Sequence, residues 1–395
     1  MTNHVSPKTI TLLGATGSVG ESVLSVIAGQ PDRFQVHAVV ANKSAIKLAK
    51  IAIAARASSA VLAESDELPT LRDALAGTGI HCAAGPEAII EAATRPVDLV
   101  VAAIVGAAGI RPTWAALKAG NQIALANKEC MVSAGSLFMT EARRQMKPIL
   151  PMDSEHNAIW QVFDEANKSA IQAVTITASG GPFRTWSQEQ IASATPSQAL
   201  NHPIWDMGSK ITIDSASLMN KGLELIEAKY LFGLEVEQLR VLVHPQSIIH
   251  GLVHYEDGSV LAQLGCADMR VPVSYCLNWP VRGVSPAPKL DFSTISALTF
   301  ELPDLDRFPC LELAYGAMAS GGAATCALNA ANEVAVAAFL DGNIPFGGIA
   351  HIVDKVLQQT CNETSLAEFD SIDQAIESDR VARERASQYL VQKQW

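Results

Sequence analysis

The stretch KTITLLGATGSVGESVLSVIA, residues 8–28, decides the fold. Lys8–Leu13 is a short run of β-favouring residues, and Gly14 opens a glycine-rich turn. Glu21–Ala28 then places Val23, Leu24 and Ile27 at helical spacing. The segment Gly14-Ala15-Thr16-Gly17-Ser18-Val19-Gly20 therefore joins a strand to a helix. Its spacing is GxxGxxG rather than the commoner GxGxxG, but the physics is shared. Glycines let the backbone approach a pyrophosphate, and the helix N-terminus offers it free N–H groups. An ordinary glycine-rich βα turn is the plain alternative.

Working outward, Phe34–Ala41 reads as a second strand, and Asp98–Ala103, Gln122–Ala126 and Ile149–Met152 as further ones. Arg111–Ala119 reads as a helix, with Pro112 suited to its first turn and Gly120 to its stop. Strands alternating with helices predict a Rossmann-like, doubly wound α/β domain over residues 1–150. NAD sites usually carry an acid at the end of the second strand. Here that strand runs into Asn42, Lys43 and Ser44, which suit a 2′-phosphate and hence NADPH; a solvated loop charge at Lys43 is the alternative. Asn127, Lys128 and Glu129 follow a strand end, where ligands bind, and are candidates to hold the nicotinamide end or simply to cap a helix.

From about Ala173 the pattern becomes α+β. Val174–Thr177 reads as a strand, and Ile248–Tyr255 with Ser259–Leu264 as a hairpin turned at Glu256-Asp257-Gly258. Residues 151–280 form the expected catalytic domain. Residues 281–310 are proline-rich and read as a linker, and 311–395 as an all-α C-terminal domain broken at Gly342 and Pro345.

Composition narrows the function. At 395 residues the chain has room for two or three domains. Its net charge of −11 argues against nucleic acid. Seven cysteines without a CxxC point to a reducing, cytoplasmic setting rather than to disulfides or structural zinc. No secretory signal is read. The apolar stretch 99–110 is too short to span a membrane, so no membrane is expected.

Two further segments carry chemistry. Asp153-Ser154-Glu155-His156 follows the strand ending at Met152, and in an extended segment Asp153 and Glu155 project to one side. The alternative is a helix start, with Asp153 or Ser154 as cap and Glu155 meeting the dipole. In Ser217–Tyr230, Met219, Leu223, Ile226 and Tyr230 form an apolar stripe, leaving Asn220, Lys221 and Glu224 on a solvated face or a cleft wall. Oxygen-only ligation by Asp153, Glu155 and Glu224 would suit Mg²⁺ or Mn²⁺. Residues 180–209, with His202, Trp205, Met207 and Gly208, read as a lid or as a packed loop. Ser179, Ser215, Asn220 and Lys221 are donors suited to a phosphate. His244, His250 and His254 are read as sheet residues, Thr325–Leu340 as a packed helix, and Cys130 as a small buried residue.

The blocks LLGATGSVG (12–20), AAIVGAAG (102–109), LANKE (125–129), PMDSEHNAI (151–159), SGGPFR (179–184), HPIWDMGSKITIDSASLMNKGLE (202–224), HPQSIIH (244–250) and ALNAANE (327–333) span nearly the whole chain. They closely resemble the 1-deoxy-D-xylulose 5-phosphate reductoisomerase family. The resemblance implies conversion of 1-deoxy-D-xylulose 5-phosphate to 2-C-methyl-D-erythritol 4-phosphate, with rearrangement preceding hydride transfer. It also implies NADPH, a divalent cation, and a homodimer formed through the catalytic domain. By position it assigns Asp153, Glu155 and Glu224 to the metal. It assigns Ser154, Glu155, Ser179, His202, Ser215, Asn220, Lys221 and Glu224 to the sugar-phosphate substrate, with Trp205 and Met207 in the lid. Thr16, Gly17, Ser18, Val19, Asn42, Lys43, Ser44, Asn127, Lys128, Glu129 and Gly208 fall to the cofactor, and Glu155, Lys128 and His202 to catalysis. Asn42 stands where glycine is frequent, Ser44 where asparagine is, and Cys130 where serine is usual; the first two bear on 2′-phosphate recognition. The residues alone reach a metal-assisted NADPH reductase of a phosphorylated hydroxy-carbonyl. The alternatives are an NADP dehydrogenase that does not rearrange carbon and an NADPH-sensing regulator.

Overall fold

Two sheets organise the chain. The structure is a computed structural model that describes residues 6–205, 207–363 and 366–393. The N-terminal residues 1–5, Asp206 within the expected lid, and the last two residues of the C-terminal domain lie outside the described residues. Two units assemble from interleaved stretches. One takes the chain up to Asn127, Phe138–Ser154 and Asp268–Pro288; the other takes Lys128–Leu137, Glu155–Ala267 and the chain from Lys289 onward.

The first unit holds seven strands: β1 (Lys8–Leu13), β2 (Phe34–Ala41), β3 (Ser59–Leu62), β4 (His81–Ala84), β5 (Leu99–Ala102), β6 (Ile123–Leu125) and β7 (Leu150–Pro151). Their order is β4-β3-β2-β1-β5-β6-β7, and every pair is parallel. Continuous apolar runs suit strands covered on both faces, and Leu12, Leu13, Leu99, Val100 and Val101 are fully buried. The order reverses between β1 and β5, the switch point at which doubly wound sheets bind ligands. Gly14 leaves β1 there with φ +89, and a Cβ on it would lie 2.3 Å from the Ala103 carbonyl oxygen. No side chain fits that turn. The following helix, Ser18–Ala28, starts three residues earlier than the apolar spacing alone indicates.

The second unit holds β8 (Ile171–Ala178), β9 (Leu239–Val243), β10 (Ile249–Tyr255) and β11 (Val260–Leu264), ordered β11-β10-β8-β9. β10 and β11 form the expected hairpin. Helices Pro309–Ser320, Gly322–Leu340, Phe346–Glu363 and Ile372–Val391 make the C-terminal part helical. Phe346 meets both Phe183 and Phe339 edge-on in a shared core. Among the described residues, one helix, Gly322–Leu340, is long and apolar enough to cross a membrane, but 78% of its apolar window is buried inside the fold. It is a core helix, as read from sequence.

Of the alternatives left open, the helix start at Ser154 and the interior face are the ones found, and the expectation for His244 changes. Glu155 is not in an extended segment, because a helix begins at Ser154 and runs to Val162. Asn220, Lys221 and Glu224 do not form a solvated face: the helix Met219–Phe232 is buried on nearly every side, so these polar groups face an interior. His244 lies one residue past β9 rather than in a strand.

Candidate active site

A strand-to-helix junction delivers Glu155 to the first turn of Ser154–Val162, two residues after Asp153. Glu224 comes from the middle of Met219–Phe232. One oxygen each from Asp153, Glu155 and Glu224 lies within 4.8 Å of the other two, and this is the one such acid, histidine or cysteine group among the described residues. The donors are all carboxylate oxygens, the set a hard divalent cation prefers. Glu224 is 1% exposed, and a buried carboxylate persists only with partners. Its partners include Lys221 Nζ at 2.6 Å, Lys128 Nζ at 3.2 Å and Asn220 Nδ2 at 2.6 Å. Lys221 also donates to Glu155 Oε1 at 2.5 Å. Three carboxylates thus face two ammonium groups, an excess of negative charge that suits a cation. Asn220 Oδ1 is buried with no partner among the described residues, a spare acceptor beside the cluster. These residues fit Mg²⁺ or Mn²⁺.

His156 is a functional residue the sequence reading missed. Its Nε2 donates to the Glu224 backbone carbonyl at 2.8 Å, and its Nδ1 lies 3.3 Å from Glu227 Oε2. The imidazole thereby ties the helix bearing Glu155 to the helix bearing Glu224. Nothing in the local pattern distinguishes it from a solvent-facing histidine on a first turn.

Ser179 lies one residue past β8, and His202 reaches it. The His202 Nδ1 accepts from the Ile204 and Trp205 backbone N–H groups at 3.2 and 2.9 Å. Its proton must therefore sit on Nε2, which donates to Ser179 Oγ at 3.0 Å. Burial, with a smaller contribution from Lys221, lowers the His202 pKa to about 4, so the ring is neutral at pH 7. Ser215 is buried on the helix Ser209–Ala216.

The expected lid divides. Phe183 is fully buried, Arg307 donates to the Arg184 and Trp186 carbonyls, and capped short helices follow at Gln188–Ala192 and Pro196–Ala199. Residues 183–199 are therefore anchored to the body. Residues 201–205 and 207–208 are irregular. There Trp205 is half-buried, with its ring edge-on to His250 at 6.2 Å, and Met207 is half-buried as well. His250 belongs to this site, although the sequence reading treated it only as a sheet residue. His254 bonds to Thr175, and His244 bonds to the Thr299 carbonyl and stacks on Phe300, so the three histidines have separate partners.

The turn after β1 keeps Gly17 and Ser18 exposed and Thr16 and Val19 half-buried. Gly17 caps the Ser18–Ala28 helix with no side-chain bond, so its first N–H groups remain open to a ligand. Gly20 packs so tightly that a Cβ would lie 2.5 Å from the Gly14 carbonyl oxygen. This is a cradle fitted to a pyrophosphate. Asn42, Lys43 and Ser44 are exposed after β2. The Asn127-Lys128-Glu129 trio splits. Asn127 Nδ2 clamps the Ile104 and Gly106 carbonyls, Lys128 reaches Glu224, and Glu129 is buried 3.7 Å from Lys210. Cys130 is fully buried, as expected. Gly208, exposed, caps the helix Ser209–Ala216.

A doubly wound sheet with a pyrophosphate cradle, together with an oxygen-only cation cluster, defines a class: nucleotide-dependent oxidoreductases with a divalent-metal centre. Family profiles narrow it. Residues 10–135 match 1-deoxy-D-xylulose 5-phosphate reductoisomerase, residues 149–232 its C-terminal domain, and residues 264–385 the DXP reductoisomerase C-terminal domain. The 1-deoxy-D-xylulose 5-phosphate reductoisomerase of Bradyrhizobium sp. (strain ORS 278) is 52% identical over 385 residues, covering 98% of this chain and 95% of that protein. The enzyme of that name from Zymomonas mobilis, solved with NADPH, superposes with a TM-score of 0.91 at 46% identity, covering 98% of this chain and 99% of that one. A DOX-P reductoisomerase solved with NADPH, fosmidomycin and magnesium also gives 0.91, at 41% identity, covering 97% and 98%. The chain belongs to the 1-deoxy-D-xylulose 5-phosphate reductoisomerase family.

Proposed function

We propose that this chain converts 1-deoxy-D-xylulose 5-phosphate to 2-C-methyl-D-erythritol 4-phosphate with NADPH and Mg²⁺ or Mn²⁺. The convergence of Asp153, Glu155 and Glu224 within 4.8 Å, flanked by Lys221, carries the reading. A cation held by these three carboxylates would polarise the substrate carbonyl and stabilise negative charge as it develops. Lys128 and Lys221 lie against Glu224 and offset its charge. Ser179, Ser215, Asn220 and Lys221 present donors to the phosphate, and Ser154 stands beside the carboxylates. Holding that phosphate supplies binding energy that orients the reacting carbons. Neutral His202 offers its Nε2–H to a substrate oxygen in exchange for Ser179. Trp205 and Met207 exclude water.

Thr16–Val19 would hold the pyrophosphate of NADPH, the hydride donor, and Asn42, Lys43 and Ser44 its 2′-phosphate. Asn127, Glu129 and Gly208 complete the cofactor's surroundings. In this reading residues 1–150 bind NADPH, 151–280 carry catalysis and dimerisation, 281–310 link, and 311–395 form the helical support. The working form is a homodimer. Free thiols at all seven cysteines suit the cytoplasm.

Incubation of the protein with 1-deoxy-D-xylulose 5-phosphate, NADPH and Mg²⁺, followed by NMR of the product, tests the reading. A rearranged, branched skeleton is expected. An unrearranged alcohol would assign a simple dehydrogenase, and no turnover a cofactor-sensing protein.

A further inference from the structure

Lys210 lies outside every role assigned so far, yet it links several parts of the site. It sits in the first turn of Ser209–Ala216, directly after the irregular segment bearing Trp205 and Met207. Its ammonium is 2.7 Å from Asp214 Oδ2 and 3.7 Å from Glu129 Oε1. Asp214 is 1% exposed, and its other oxygen accepts from Asn332 Nδ2 at 2.8 Å, on the long core helix Gly322–Leu340. Glu129 is buried too, and its neighbour in the chain, Lys128, is the partner of Glu224. One ammonium therefore serves two buried carboxylates, and one of these adjoins the lysine that serves the metal cluster. Burial opposes the Lys210 charge, but Asp214, Glu129 and Glu333 together lift its pKa above the usual lysine value, so it remains a cation.

We propose that Lys210 is a positioning residue that fastens the root of the 201–208 segment to the Lys128–Glu224 pair through Glu129. Asp214 orients the ammonium, and Asn332 holds Asp214 to the core. Without Lys210, Glu129 is a buried carboxylate lacking its cation, a costly state. The nearest ammonium along the chain is Lys128, one residue away. Glu129 then competes with Glu224 for it, while the helix that carries Ser215 loses its fixed orientation. An i,i+4 pair that only supported its own helix would contribute little and would touch neither consequence.

This inference rests on the proposed reaction, and its test separates the two. The full-length protein is compared with Lys210→Gln, Lys210→Arg, Glu129→Gln and the double variant Lys210→Gln/Glu129→Gln. The readouts are kcat and KM for 1-deoxy-D-xylulose 5-phosphate, the Kd of Mn²⁺ alone, and hydrogen exchange over residues 201–216. Lys210→Gln is expected to lower kcat by about 10–100-fold, to weaken Mn²⁺, and to speed exchange, while Lys210→Arg recovers most of each. The double variant is expected to be no worse than Lys210→Gln, since neighbours in one network are non-additive. A Lys210→Gln protein with a lower Tm but unchanged kcat and Mn²⁺ affinity overturns the proposal, as do additive losses in the double variant. Should Lys210→Gln fail to fold, the double variant, which also removes the unpaired carboxylate, is read in its place, and unchanged exchange over residues 201–216 in it overturns the proposal equally. A wild-type protein inert toward the sugar phosphate refutes the reaction, whereas Mn²⁺ affinity and exchange still decide the linkage.

Discussion

His202 donates from Nε2 to Ser179 Oγ at 3.0 Å while its Nδ1 accepts two backbone N–H groups from its own turn. The geometry fixes the tautomer, and burial first, then Lys221, lowers the ring's pKa to about 4 from 6.5. The unfolded chain takes up this proton near pH 6.5, and the folded one does so only near pH 4. The folded state is thus favoured fully above pH 6.5, and this contribution is lost as the pH falls toward 4. The wild-type Tm should therefore drop more steeply over that window than the Tm of His202→Gln. An NMR titration placing His202 near 6.5 would contradict the assignment.

Lys43 follows β2 on an exposed loop in which no acid stands at the strand end. Under the proposed function, replacing it with alanine would remove a charge-assisted bond to the 2′-phosphate. The KM for NADPH should rise about tenfold and that for NADH much less. Equal changes for both cofactors would show that Lys43 does not read the phosphate.

Gly20 has no room for a methyl group, since a Cβ would lie 2.5 Å from the Gly14 oxygen and 2.7 Å from Ala15 backbone atoms. Backbone must move to admit it. Gly20→Ala should cost about 1–3 kcal/mol of stability and weaken NADPH binding, measured by denaturant titration and by quenching of protein fluorescence. An unchanged midpoint and Kd would remove the turn from the cofactor site.

Residues 201–205 and 207–208 should gain protection when their ligand arrives, and 183–199 should not change. Hydrogen exchange in the apo, NADPH-bound and fosmidomycin-bound protein reads this directly. Protection over 201–208 is expected mainly with fosmidomycin and Mg²⁺. Trp205→Ala should lower kcat and weaken fosmidomycin without unfolding the protein, because the ring is only half-buried. Full protection in the apo protein would mark a fixed loop.

The strongest elements were legible because one physical requirement dominated each. β1 and β2 fall where the apolar runs put them, and the glycine turn announces itself by excluding side chains. β3 and β4 were not read: at four residues, SAVL and HCAA offer no period and little β-branching, and they are strands because β2 pairs with β3 and β3 with β4. Asn220, Lys221 and Glu224 were correctly seen as one face of a helix, but periodicity cannot tell a cleft from solvent. Their burial comes from tertiary packing. His156 and Lys210 were missed for the same reason. Their partners, Glu224, Glu227 and Glu129, lie 68, 71 and 81 residues away in the sequence, and local pattern holds no trace of them.

Under the proposed function, Glu224 is a metal-holding carboxylate. Glu224→Gln preserves its volume and removes its charge, so Mn²⁺ titration and turnover of this variant test that role most directly. The expected result is Mn²⁺ affinity and kcat each reduced about a hundredfold or more, with NADPH binding intact. Near-normal kcat and Mn²⁺ affinity in Glu224→Gln would contradict the assignment of Asp153, Glu155 and Glu224 as the metal centre.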